Sequence, residues 1–403
     1  MNLDLNDDQQ LLFDTVHAAV GRDYGTGGRA AATSTELGWN QRVWDTLAEM
    51  GLIGLTIADE HGGSGAGPVE LYATLEAIGR HAATEPLLDG VVLPAWLIAA
   101  LGTPTQSKEL LGALAAGEFT IAVAHAEPTR AWDAAPEATV TVRDDGSATV
   151  TGVKSPVLHA DQAQKLLVTV VDADGRGHVV VIDADATGIT RTDGRTSDWT
   201  HASQVAFDST PAVMLGDTPA QSDVLDAVHS AFAQARIAVT GEAIGLMEAG
   251  LTQTVDYLKS RKQFGVPLSS FQALVHRAAD LYAQVELARS MALRATAVAE
   301  AVAGSDAHGV EGRDTDGIDL RETADDAFVY VCDAATTVAE EIIQLHGGIG
   351  MTYESEVGHH AARLIGLTAG FGGVSAARRR AVASDAVLRA PSALLNNADA
   401  VQV

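Results

Sequence analysis

A carboxylate on an apolar helix stripe is the first chemical anomaly in this chain. From Leu225 the apolar residues recur in steps of three and four, through Val228, Phe232, Ala235 and Val239, and again at Leu246 and Ala249. Glu242 stands in that register between Val239 and Leu246. A carboxylate on such a stripe loses hydration, which strengthens its hold on a proton and suits it to general-base work. The same place suits a carboxylate paired with a buried arginine across a helix bundle, or one lining water in a substrate cleft. Nineteen residues on begins RKQFGVPLSSFQALVH, from Arg261 to His276. Arg261 and Gln263 put a fixed cation and an amide at a helix end, while Gly265 and Pro267 stop the helix and let backbone approach a ligand. That is an anion-clamping turn or an ordinary helix–helix connection. A third string, QLHGGIGMTYE from Gln344 to Glu354, holds adjacent Gly347 and Gly348. Such a pair lets backbone lie against a flat or phosphorylated ligand, or joins two helices.

The elements that carry these residues show three textures. Asn6 with Gln9 three residues on forms a capping-box pattern that opens a helix through Leu11, Leu12, Val16 and Val20. Trp44, Leu47 and Met50 recur at helical spacing and stop at Gly51. The loop HGGSGAGP (61–68) superficially has the form of a dinucleotide-binding turn. Proline stands where its last glycine would fall, and Asp59 and Glu60 would repel a pyrophosphate. From Thr120 to about Phe207 short β-branched runs alternate with turns, among them a hairpin signal at Asp144-Asp145-Gly146-Ser147. Helical texture returns from about Gln221 in segments 223–260, 269–303, 319–345 and 374–389. The stretch from Gly304 to Gly317 reads as a solvated loop, and the tail after Pro391 as frayed or partner-docked. The expected domains are helical (1–118), β-sheet (119–220) and helical bundle (221–390), with a tail (391–403).

The totals bound the function. A chain of 403 residues exceeds what one core usually holds. With 26 basic against 53 acidic residues the net charge is −27, which argues against nucleic acid or an anionic membrane as a partner. Adjacent His359 and His360 point to different helix faces, so no metal site is expected. A single cysteine, Cys332, allows no internal disulfide. No run approaches the ~18 to 20 apolar residues of a membrane span, and the amino terminus lacks an export signal's basic and apolar regions, so the expectation is a cytoplasmic protein.

The string R-x-Q-F-G-x-P-L-x-x-F-Q-x-x-x-H resembles the signature of the acyl-CoA dehydrogenase family, and QLHGGIGMTYE resembles its Q-x-x-G-G-x-G-x-T-x-E. The order of textures matches as well, so the resemblance covers nearly the whole chain. It implies an α+β fold: an N-terminal helical domain, a small central β-sheet domain and a C-terminal four-helix bundle. It implies FAD-dependent α,β-dehydrogenation of an acyl-CoA to a trans-2-enoyl-CoA, in fatty acid or steroid side-chain metabolism, with an electron-transfer flavoprotein as acceptor. The implied assembly is a homotetramer or an α2β2 heterotetramer. Carried over position by position, Arg261, Gln263, Phe264, Gln272, Gln344, Gly347 and Gly348 would contact FAD, the glycine turn doing so for a neighbouring subunit.

Where many members carry the catalytic glutamate, in a loop late in the chain, this sequence has Gly372 within AGFGGVSAARRR. Some relatives place the base on the helix ahead of the signature. One arrangement aligns with Ala235; another, with an A-E-x-x-G motif, aligns with G-E-A-I-G, on Glu242. These two positions are seven residues apart, on one face and within about 10 Å along the axis. The resemblance thus implies Glu242 as the α-proton base. Other departures gather around the flavin ring. The family's T-E-P-x-x-G-S-D is A-E-P-T-R-A-W-D, keeping Glu127 and Pro128; W-I-T is Pro156, Val157 and Leu158; and a late threonine is Val374. These losses touch ring contacts rather than adenosine contacts. They motivate a second reading, a catalytically weak or silent subunit that supports FAD and substrate binding on a partner chain. A third is a fold relative running other flavin chemistry.

Overall fold

The computed structural model describes residues 5–216, 224–305 and 319–384. The segment from Gly304 to Gly317 lies largely outside them, and the tail wholly so. The chain opens with six helices: α1 (Asp7–Gly21), α2 (Gly28–Thr33), α3 (Gln41–Glu49), α4 (Pro68–Gly79), α5 (Leu93–Leu101) and α6 (Pro104–Ala115). The Asn6 side chain accepts from the Gln9 amide, and the Gln9 side chain accepts from the Asn6 amide, so the capping box forms as expected. A turn of π-helix, Leu88–Val92, leads into α5 and carries Asp89.

Seven strands follow: β1 (Ile121–Ala124), β2 (Thr139–Val142), β3 (Ala148–Leu158), β4 (Lys165–Val171), β5 (Gly177–Asp183), β6 (Ile189–Arg195) and β7 (His201–Met214). β4 pairs with β5, β5 with β7, β7 with β3 and β3 with β2, and a single β2–β4 bridge closes the ring. β1 extends the ring from β4 and β6 from β7. Alternating valines and isoleucines such as Val150, Val168, Val180 and Val205 fill a separate small core. The expected hairpin joins β2 to β3, with Asp145 Oδ1 accepting from the Ser147 amide.

The second helical region begins with α7 (Val224–Ser260). A short ribbon, β8 (Lys262–Gln263) and β9 (Val266–Pro267), precedes α8 (Gln272–Ser305), α9 (Leu320–His346), α10 (Glu356–Leu367) and α11 (Val374–Ala383). α10 is an element that periodicity reading passed over. α7 is buried on nearly all sides along its middle and packs against α4, α8, α9 and α10. Glycines set how closely α4 and α7 approach. A Cβ on Gly245 would lie 2.1 Å from the Glu76 carbonyl oxygen, and one on Gly79 would lie 2.2 Å from that of Glu242. The small residues around Glu242 therefore serve close helix packing. Among the described residues no helix is long and apolar enough to cross a membrane.

Candidate active site and cofactor surface

Glu242 faces a cavity of about 140 Å³ between α7, the π-turn before α5, the β-domain and the loop ahead of α11. Its walls are mostly apolar, with Leu88, Leu93, Phe232 and Val239 among them. Of the arrangements open to Glu242, the structure shows the ion pair. Arg363 on α10 donates from Nε to Oε1 at 2.6 Å and from Nη2 to Oε2 at 3.1 Å, a two-pronged clamp. The third guanidinium nitrogen donates to Asp198 Oδ2 at 3.0 Å. Asp198 in turn lies 3.5 Å from Arg29, whose Nη2 also donates to the Asp198 carbonyl. Two acids and two arginines thus alternate, neutral in sum, from α7 to α2.

Burial works to raise the Asp198 carboxyl, but Arg363 and Arg29 outweigh it and hold the group at about 2. Burial pulls the Arg363 guanidinium down, and Glu242 with Asp198 more than restores it. On the opposite wall Asp89 lies 3.2 Å from His159 Nε2. Burial works to raise the Asp89 carboxyl; His159, followed by Arg363, brings it below its ordinary value.

Gly372 has φ +98°, and the ring of Trp132 sits where a side chain there would begin, 2.8 Å from Cδ1 to the missing Cβ. The position of the family's loop glutamate and the altered A-E-P-T-R-A-W-D loop therefore meet in space. Trp132 packs edge-on to Phe232 with ring centroids 4.9 Å apart, and its Nε1 is buried without a partner. The glutamate that this loop keeps is structural. Lys154, fully buried, donates to Glu127 Oε1 at 2.7 Å, and Glu127 accepts the amides of Glu137 and Ala138. Pro156 and Leu158 line the cavity.

The other expected site residues lie elsewhere. Arg261, Gln263, Phe264, Gln272, Gln344, Gly347 and Gly348 are all exposed, Phe264 to 93%. Phe264 (φ +52°) and Gly265 (φ +84°) turn the β8–β9 ribbon. Tyr257, one turn before Arg261, stacks on His346 at 4.5 Å, bringing the end of α7 beside the glycine turn. A Cβ on Gly265, Gly347 or Gly348 would meet nothing within 4 Å. This surface lies about 27 Å along α7 from Glu242, the rise of 18 helical residues. The candidate residues thus divide into an open surface and a closed cavity.

Comparison with known proteins covers both helical regions. Residues 6–118 match the acyl-CoA dehydrogenase N-terminal domain, and residues 225–386 match the acyl-CoA dehydrogenase C-terminal domain. The chain belongs to the acyl-CoA dehydrogenase family. Acyl-CoA dehydrogenase FadE12 of Mycobacterium tuberculosis is 30% identical over 77% of this chain and 79% of its own. FadE28 of the same organism is 28% identical over 93% and 96%. The solved Tcur3481-Tcur3483 steroid ACAD, in a variant form, is 27% identical, with TM-score 0.81 over 96% of this chain and 99% of its own. The family's members are FAD-dependent oxidoreductases acting on acyl-CoA, and the fold expected from sequence is the one observed.

The two ends of FAD fare differently. The exposed cation, amides and open glycine turn fit the adenosine and pyrophosphate end, presented outward. The cavity does not fit the ring end: about 140 Å³ is below the ~300 Å³ at which ligand pockets begin, and Trp132 stands in it. Sequence reading missed Arg363, Asp198 and Asp89. Arg363 lies three residues past buried His360 and beside buried Leu364, so the criterion that singled out Glu242, a charge on an apolar stripe, selects it once 356–367 is read as a helix.

Proposed function

We propose that this chain is one subunit of a heteromeric, FAD-dependent acyl-CoA dehydrogenase, lending its adenosine-side surface to the cofactor of a partner chain. The observation that carries this reading is Trp132 against Gly372: the family's loop carboxylate is absent and its space is filled. The Glu242–Arg363 clamp supports it, because one acceptor site on each carboxylate oxygen is already taken by the guanidinium rather than open to a substrate. Exposed Phe264, Ile349 and Met351 flanking the signature and glycine turn suit burial by another chain. The Tcur3481-Tcur3483 protein, by its name, combines two gene products. The assembly desaturates an acyl-CoA to a trans-2-enoyl-CoA and passes electrons to an electron-transfer flavoprotein. When bound, FAD supplies the hydride acceptor.

Purification tests this directly. The chain expressed alone is expected to be colourless, and yellow as a complex only when co-expressed with a second acyl-CoA dehydrogenase chain. A yellow homotetramer bleached by acyl-CoA would refute it. The second reading makes Glu242 the base in its own cavity, favoured by its place beside the loop that carries Gly372. In that case Glu242→Gln abolishes turnover while leaving FAD bound.

A further inference from the structure

We propose that Trp132 is a plug: its indole occupies a planar-ring site in this subunit, and removing it lets a flavin ring bind there. The inference rests on the subunit reading and names the residue responsible for it.

Four observations converge. The indole meets two rings edge-on, Phe232 at 4.9 Å and His125 at 4.9 Å. The backbone opposite bends around it, with Phe371, Gly372 and Gly373 all at positive φ and Cδ1, Cγ and Nε1 of Trp132 at 2.8, 2.9 and 3.1 Å from the missing Cβ of Gly372. The ring is half-buried, yet its Nε1 is buried with no hydrogen-bond partner, and such an unmade bond costs roughly 1–3 kcal/mol. Finally, the loop bearing the indole is fastened at residues 132 and 133. The Trp132 carbonyl lies 2.9 Å from His125 Nε2, and Asp133 lies 3.7 Å from Arg380, itself held by Asp325.

The remaining space is benzene-sized: an engineered apolar cavity of about 150 Å³ takes benzene, and this one measures about 140 Å³. Trp132→Gly would join the indole's volume to it and leave a slot walled by Phe232, His125, Pro156 and Leu158.

The test uses the full chain, purified alone, as wild type, Trp132→Phe and Trp132→Gly. Thermal shift with indole and riboflavin titration followed by quenching of flavin fluorescence are the readouts. Trp132→Gly is expected to be stabilised by indole and to bind riboflavin at least tenfold more tightly than wild type, with Trp132→Phe unchanged. A folded Trp132→Gly that binds neither, or binds indole but not riboflavin, overturns the proposal. Should excavation unfold the chain, Asp133→Asn loosens the loop from an exposed position; it is expected to raise riboflavin affinity, and unchanged affinity overturns the proposal. The outcomes stay separate from the subunit reading. A colourless Trp132→Gly beside a yellow co-expressed wild-type complex removes the plug and keeps the subunit.

Discussion

Arg363→Met is the perturbation that most directly probes the buried charge chain. Arg363 holds two carboxylates whose side chains are 6% and 2% exposed, Glu242 and Asp198. At about 4 Å and an effective dielectric near 20, each attraction amounts to about 4 kcal/mol, set against the desolvation of all three charges. Removing the cation leaves Glu242 buried and unpaired and Asp198 with Arg29 alone, for which the cost is about 3–5 kcal/mol. Arg363 itself is 22% exposed toward the cavity, so water can enter and the lower end applies. Glu242→Gln leaves Arg363 with Asp198 and costs about 1–3 kcal/mol. The double variant removes charge from both sides and is expected to cost less than the two singles added, by more than 1 kcal/mol. Acid adds a second signature. Asp198, held at about 2 against an ordinary 3.8, contributes stability that is present above pH 4 and lost as the pH falls through 2. Without Arg363 its carboxyl rises toward the ordinary value, so the gap between wild type and Arg363→Met narrows as pH drops from 4 to 2. Urea midpoints by circular dichroism, for all four proteins across that range, measure both effects. Additivity within about 0.5 kcal/mol would show that the clamp contributes no coupling and refute the reasoning.

Gly245→Ala puts a methyl 2.1 Å from the Glu76 carbonyl and is expected to destabilise by about 1–3 kcal/mol or more. Gly348→Ala, which meets nothing within 4 Å, is expected to leave stability within about 0.5 kcal/mol while weakening the complex with a partner chain, checked by thermal melting and sedimentation. Burial, then the neighbouring His17, lowers His81 to about 4. Its neutral form is the one the fold accepts, so the stability it contributes is present above pH 6.5 and lost as pH falls toward 4; His81→Gln should flatten the melting profile over that interval, and an unchanged slope would dismiss His81 as its source. Burial, then Asp333, pushes the Cys332 thiol up to about 12, so the native chain should resist alkylation that goes to completion in urea, and fast labelling of the folded chain would contradict the packing of α9.

The parts of the molecule legible in sequence are those set by local chemistry. Asn6 and Gln9 satisfy each other's amides within one turn, and the Asp145 hairpin closes on itself, so four-residue windows carried the signal. Glu242 was legible as an anomaly because α7 is long enough for its apolar register to show a charge out of place. What that charge does was not legible, because its partner lies 121 residues away on a helix of twelve residues. Two adjacent histidines and an arginine break the apolar pattern of that helix, and all three turn out to be inward-facing or cavity-facing, the reverse of what polar residues on a short helix suggest. Trp132 and Gly372 pose the same problem more sharply. Each alone is a departure from the family's pattern, one a ring added and the other a side chain lost. Only contact across 240 residues shows that the two positions fit each other, the ring of Trp132 filling the space that a side chain at 372 would take.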